Sequence, residues 1–196
     1  MHVFHREHAG RPIRVVWTLE ELGEPYELTV MTREEGKGEE HLARHPLGRV
    51  PVLEDEQGPL FESAAICLHL ADMHPEAGLV PAPGTHERAL VYQWTCFAPA
   101  ELEPPLIEAA MQAERDPERA AKARERFEAG AGAVSAALQD SDYLVGERFT
   151  IADVLIGTTL GFTRRTGHEL PDVLHRYLDR LTERPAYQRA LQRTAA

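Results

Sequence analysis

"HPLGRVPVLEDEQGPLFESAAICLHLAD", His45 to Asp72, decides how the chain is read. "HPLG" is a proline-glycine turn. "VPVLED" and "GPLFE" are two short strands joined by a turn at Glu56–Gly58, and "SAAICLHLADM" follows as a helix with Ser63 expected at its N-cap. Pro51 cannot donate to a sheet ladder, and two readings of it stay open. A cis Val50–Pro51 bond would leave the N–H and C=O of Val50 facing outward, where an extended peptide could add itself as a strand. A trans Pro51 would simply start an edge strand. The start of the last helix also has two readings. Ser63 with free helix N–H groups suits a carboxylate, and Glu62 beside it suits an ammonium. Together they fit a group that carries both charges on one carbon. Plain helix capping by Ser63 is the alternative.

Upstream of this stretch the signals alternate. "HVFH" (2–5) reads as a strand. "PIRVVWTLEELG" reads as a helix with Pro12 at its first position and Gly23 past its end, and Ile13, Val16, Trp17, Leu19 and Leu22 form its apolar face. "PYELTV" (25–30) is a second strand. Strand–helix–strand followed by strand–strand–helix is a thioredoxin-like order. Downstream, "MHPEAGLVPAPGTHERA" (73–89) is rich in proline and glycine and forbids a continuous helix.

Every later segment is helical. The stretch from Thr85 to Glu114 is expected to kink at Pro99 and at Pro104–Pro105. A second helix starts at Pro117 with Asp116 as its cap. A third covers "TIADVLIGTTLGFTRRTG", and one or two more end the chain. The expected architecture is an α/β thioredoxin-like N-terminal domain over residues 1–76, a linker at 77–86, and an all-α C-terminal helical domain over 87–196.

Composition narrows the function. The chain has 196 residues, 43% hydrophobic and 27% charged, with a formal net charge of −11. That acidity argues against nucleic acid and anionic membranes as main partners, since both need a basic footprint. No apolar run approaches the roughly 20 residues of a membrane span. "MHVFHREHAG" is too polar for a signal peptide. Cys67 and Cys96 lie in apolar stretches and read as packing residues, which points to a reducing, cytoplasmic setting. His2, His5 and His8 lack helical spacing. His41 and His45 are four apart, but no third ligand joins them, so no metal site is expected.

The stretch His45–Asp72 resembles the glutathione-binding half of the cytosolic glutathione transferases, with its proline-glycine turn, "VP", hairpin, "ES" and "AI". "RVVWTLEELGEPYEL" (14–28) is similar to that family's first helix and second strand. "RFTIADV" (148–154) is similar to its helix-capping motif, with Thr150 as cap and Asp153 reaching back. "DYLVGERFT" and "RPAYQRAL" extend the likeness to bacterial members. The resemblance implies that the Val50 backbone pairs with the cysteinyl part of glutathione. It also implies that Pro51 is cis, that Glu62 and Ser63 hold the γ-glutamyl end, and that Arg49 meets the glycyl carboxylate. His45 stands where the family usually has Asn and is read as structural. The resemblance further implies a homodimer and an acceptor site between the domains for a small hydrophobic electrophile, to which Phe97 and Ala100 are assigned.

One departure stands out. The family carries a Ser, Cys or Tyr near the start of the first helix, and the matching positions here are Ala9 and Gly10, with Phe4 and His5 at the strand end. A thiol pKa of ~8.5 falls by two units for about 2.7 kcal/mol. A hydrogen bond to a charged group supplies about 1.5–3 kcal/mol, and a helix dipole about 0.3–1. Pro12 has no N–H, so the amides of Gly10 and Arg11 and the Arg11 side chain are the expected thiolate donors. His5 and His8 are rival proton acceptors. The expected reaction is conjugation of a glutathione thiolate to an electrophile, or reduction of a glutathione-linked disulfide. A non-catalytic interaction module on the same scaffold, or use of another small thiol, is the alternative.

Overall fold

The structure is a computed structural model and describes residues 1–7 and 10–194, all but the side chain of Arg165. It divides into two compact units. One comprises Met1–Val80 together with the segment from Thr182 onward, and the other Pro81–Leu181.

In the first unit, β1 (His2–His5), β2 (Glu27–Val30), β3 (Val52–Asp55) and β4 (Gly58–Phe61) form one sheet in the order β2-β1-β3-β4. β1 runs parallel to β2 and antiparallel to β3, and β3 is antiparallel to β4. The parallel pair needs a crossover, which α1 (Pro12–Leu22) supplies. Its limits are those expected. Pro12 opens it with a preset φ, and Gly23 ends it in the left-handed region at φ 69°. The turn between β3 and β4 is held by Asp55, whose carboxylate accepts from the N–H of Gln57 (2.7 Å) and of Gly58 (3.2 Å).

Alternation along β1 sorts its neighbours. Phe4 stacks on His2 (4.2 Å between rings) and joins Met31 and Val52 in a buried cluster. The Arg44 guanidinium of α2 (Glu39–Arg44) lies 4.2 Å from the Phe4 ring centre. Val3 and His5 point to the other face. There α1 packs against α3 (Ser63–Met73) and against the last helix, α10 (Pro185–Thr194). The Trp17 ring meets Tyr187 edge-on at 4.9 Å, and Arg184 holds Glu21 through two hydrogen bonds of 2.6 and 2.7 Å. The end of the chain therefore completes the α/β unit by covering α1.

The second unit is helical throughout. α4 (His86–Phe97) is capped by Thr85, whose hydroxyl accepts from the Arg88 N–H. It passes through a widened turn at Ala98–Leu102, which contains Pro99, into α5 (Glu103–Gln112); Pro104 and Pro105 fall in the first turn of α5, where a missing N–H is tolerated, rather than at a second kink. Then come α6 (Pro117–Ala137), capped by Asp116, and α7 (Ile151–Gly161), buried along nearly its whole length. α8 (Thr163–Thr166) and α9 (Asp172–Thr182) complete the series. The capping box of Thr150 and Asp153 is formed. Asp153 is fully buried and accepts from Thr150 N–H (2.8 Å), Thr150 Oγ1 (3.1 Å), Leu144 N–H (3.0 Å) and the Tyr177 hydroxyl (2.9 Å). Burial is the main influence on its carboxyl and pushes its pKa up, against the pull of those donors.

Candidate functional site

Three segments of the first unit converge. The first is the start of α1. Arg11 is its N-cap, half-buried, with helical backbone angles (φ −75°, ψ −33°). Gly10 before it is exposed, with open space where a Cβ would stand. His8 and Ala9 lie outside the described residues, so the readings placed on them rest on sequence alone.

The second segment runs from His45 to Pro51. Its turn closes with the Gly48 N–H donating to the His45 carbonyl (2.8 Å), and Gly48 takes φ 60°. A Cβ there would strike the Gly36 carbonyl oxygen, so position 48 needs glycine on two counts. The buried His41 of α2 donates from Nε2 to the Arg49 carbonyl at 2.9 Å, and His45 Nδ1 accepts from the Leu47 N–H at 3.1 Å. The second bond puts the His45 proton on Nε2. His45 is only 4% exposed and leans on the Phe61 ring (4.7 Å). Burial, with His41 and Arg49 nearby, lowers its pKa against the opposing pull of Glu62, so it is neutral near pH 7. Next comes a cis Val50–Pro51 bond, the first of the two readings open at the sequence level. β3 begins only at Val52, and no backbone hydrogen bond reaches Val50 among the described residues.

The third segment is the start of α3, and here one expectation needs correction. Ser63 is not the N-cap but the first helical residue; Glu62 is the cap, with φ 71° and ψ 107°. The left-handed Glu62 turns its own side chain outward to solvent and Ser63 inward. Ser63 is 5% exposed, and its Oγ accepts a 3.2 Å hydrogen bond from Nη1 of Arg14 on α1.

Arg11, His45, Arg49, Val50, Pro51, Glu62 and Ser63 line one cleft. Six of these were expected from sequence, and His45 is the addition. The cleft offers two guanidinium groups, one carboxylate, an unpaired stretch of main chain and a helix N-terminus. That set complements an extended, zwitterionic, twice-carboxylated peptide. Gly10 and His5 are not among the lining residues. His5 ends β1, is 1% exposed, and neither ring nitrogen has a partner among the described residues. Burial lowers its pKa, so the ring is neutral near pH 7. Phe97 and Ala100 belong to the second unit. Phe97 is half-buried at the end of α4, edge-on to Trp94 at 5.4 Å, and Ala100 is exposed in the widened turn. A wider cavity of that unit, lined by Asp140, Asp142, Glu147, Arg176 and Arg180, already holds its own Arg180–Asp142 ion pair at 2.6 Å. Among the described residues, no three His, Cys, Asp or Glu side chains are grouped to hold a metal ion, and no helix is long and apolar enough to cross a membrane.

Two contributors escape sequence reading, His41 and Arg14. The spacing of His41 and His45 is a signal, but it leads toward a metal reading. Arg14 shows only as a polar residue beside an apolar helix face.

Comparison with known proteins places the chain in a family. Residues 1–72 match the family model "Glutathione S-transferase, N-terminal domain", and residues 108–193 match "Glutathione S-transferase, C-terminal domain". The chain is 32% identical over 195 residues to glutathione S-transferase 4 of Zea mays, covering 91% of this chain and 86% of that protein. Among solved structures it is similar to BphK, a bacterial GST in a ternary complex, with TM-score 0.91, 27% identity and full coverage of both chains. It is also similar to a sphingomonad glutathione S-transferase complexed with glutathione, with TM-score 0.89, 28% identity, and 99% and 98% coverage.

Proposed function

Since the chain belongs to the glutathione S-transferase family, we propose that it is a glutathione transferase whose first unit binds glutathione in the cleft between the 45–51 turn and the starts of α1 and α3. The observation that carries this reading is the convergence on one cleft of Arg11, Arg49, Val50, Pro51, Glu62 and Ser63, which come from three separate stretches of sequence.

The roles follow from chemistry. The unpaired main chain of Val50, set by the cis Pro51, pairs with the cysteinyl residue as a short strand. Ser63 and the α3 amides take the α-carboxylate of the γ-glutamyl group, while Glu62 takes its ammonium. Arg49 faces the glycyl carboxylate. Arg11 lines the same cleft at the start of α1, and its side chain, together with the amides of Gly10 and Arg11, stabilises the thiolate. His5, buried and neutral, is the second choice as proton acceptor. The thiolate electron pair forms the new sulfur–carbon bond while the leaving group departs with the pair of the broken bond. Against a glutathione-linked disulfide the same sulfur attacks the glutathionyl sulfur, forming glutathione disulfide while the other sulfur leaves as a thiolate. The acceptor is a small hydrophobic electrophile, and Phe97 and Ala100 are the residues proposed to meet it. A homodimer in the cytoplasm is part of the same proposal.

Titrating the thiolate absorbance of bound glutathione tests the reading. Wild type should bind the tripeptide with a thiol pKa below the usual ~8.5. Arg11→Ala should raise it by about one unit or more. Identical values in the two proteins would remove Arg11 from the mechanism.

A further inference from the structure

The mechanism above uses Ser63 as the hydroxyl that meets the γ-glutamyl carboxylate but leaves unsaid which way that hydroxyl donates. A serine hydroxyl has one proton and can either give or accept at a given contact. Arg14 decides the matter. Its guanidinium can only donate, and Nη1 stands 3.2 Å from Ser63 Oγ. The Ser63 oxygen accepts on that side, so its single proton is left for another direction, and Ser63 lines the cleft.

Arg14 does not line the cleft itself. It is 2% exposed, one turn along α1 from Arg11, and its carbonyl accepts from the buried Thr18 hydroxyl at 2.8 Å. Its charge lies close enough to the buried Cys67, one turn along α3 from Ser63, to oppose the rise in that thiol's pKa. The guanidinium is thus lodged between the two helices whose N-termini frame the cleft.

On the reading that the cleft binds glutathione, we propose that Arg14 is a positioning residue for carboxylate recognition. It fixes Ser63 as a proton donor toward the γ-glutamyl carboxylate. Because Arg11 and Arg14 share one helix, α1 sets the sulfur end and the γ-glutamyl end of the tripeptide as one rigid piece. A ligand without the α-carboxylate should gain nothing from Arg14.

The test compares glutathione with 4-aminobutanoyl-cysteinyl-glycine, which keeps the ammonium and lacks the α-carboxylate. Dissociation constants for both ligands are measured on wild type, Arg14→Met, Arg14→Lys and Ser63→Ala. Arg14→Met should weaken glutathione about tenfold or more and the analogue less than about threefold, as for loss of a charge-assisted hydrogen bond. Arg14→Lys, which keeps a charge and a donor, should recover most of the difference. Ser63→Ala in the Arg14→Met background should cost far less than in wild type. Should Arg14→Met fail to fold, Arg14→Gln set against Arg14→Lys carries the same comparison, with the larger selective loss expected for Gln. Equal losses for both ligands would make Arg14 merely structural and overturn the assignment alone. No glutathione binding by wild type would overturn the functional reading and the assignment with it.

Discussion

His41 holds the carbonyl of Arg49 at 2.9 Å, eight residues along the chain, so a histidine of α2 fixes the turn that presents Val50 to the cleft. Val50 is useful only while its main chain stays in place with no strand partner, and the bond from His41 is one of the few fixed points beside it. His41→Ala removes a buried donor and leaves that carbonyl short of its partner. A loss of about 1–3 kcal/mol in unfolding free energy is expected. The KM for glutathione should rise several-fold with little change in kcat, which steady-state kinetics would separate.

Gly48 makes a second demand on the same turn. Its φ of 60° and the Gly36 carbonyl behind it leave no room for a methyl group. Gly48→Ala should cost on the order of 1–3 kcal/mol from backbone strain alone, and more if the Gly36 loop must move. In a chain of this length that lowers Tm by roughly 2–4 °C per kcal/mol. Differential scanning calorimetry checks the stability, and glutathione affinity should fall in parallel because Arg49 and Val50 are displaced.

Acid should weaken the fold. His5, His45 and His168 all have pKa values lowered chiefly by burial. A base with a depressed folded pKa is neutral in the native state while the unfolded chain takes up protons near the usual ~6.5. Its contribution is fully present above that value and is lost as pH falls through it toward the folded pKa. The urea midpoint should therefore drop between about pH 7.5 and about pH 5.5. His45 adds a specific effect, since protonation destroys the acceptor that Leu47 N–H uses. His45→Gln should flatten the slope, and an unchanged slope would show that His45 does not contribute.

Asp153 carries the most concentrated polar network of the helical unit. Its carboxylate serves two backbone N–H groups and two hydroxyls in a fully buried place. Asp153→Ala should destabilise by about 3–5 kcal/mol, as for a buried network deprived of its centre. Tyr177→Phe, which deletes one of four donors, should cost about 0.5–1.5 kcal/mol. Chemical denaturation of the two variants gives both numbers.

What the sequence discloses is mostly what local rules govern. Pro12 and Gly23 bound α1, Asp116 and Pro117 start α6, and Thr150 with Asp153 announces α7, because each signal acts within a few residues. Pro99 locates the break between α4 and α5 but not its form as a widened turn, and Pro104–Pro105 open α5 where a second kink is expected. Nothing local marks Glu62, a non-glycine, for the left-handed region, so sequence reading puts the N-cap one position late, at Ser63. Long-range partners are the least legible. Arg14 and Ser63 are 49 residues apart, and Arg184 and Glu21 are 163 apart. Periodicity says that a face is buried, not against what, and so α10 reads as one more helix of the C-terminal half until its packing on α1 is seen.

Isothermal titration calorimetry with glutathione puts the central claim to the most direct test, on wild type and on Arg49→Ala and Glu62→Ala. A cleft built for this tripeptide predicts saturable heat with one ligand per chain. Binding should weaken about tenfold in each variant, the scale of one lost charge-assisted contact. Absence of heat from wild type at millimolar glutathione, or binding indifferent to both substitutions, would contradict the account.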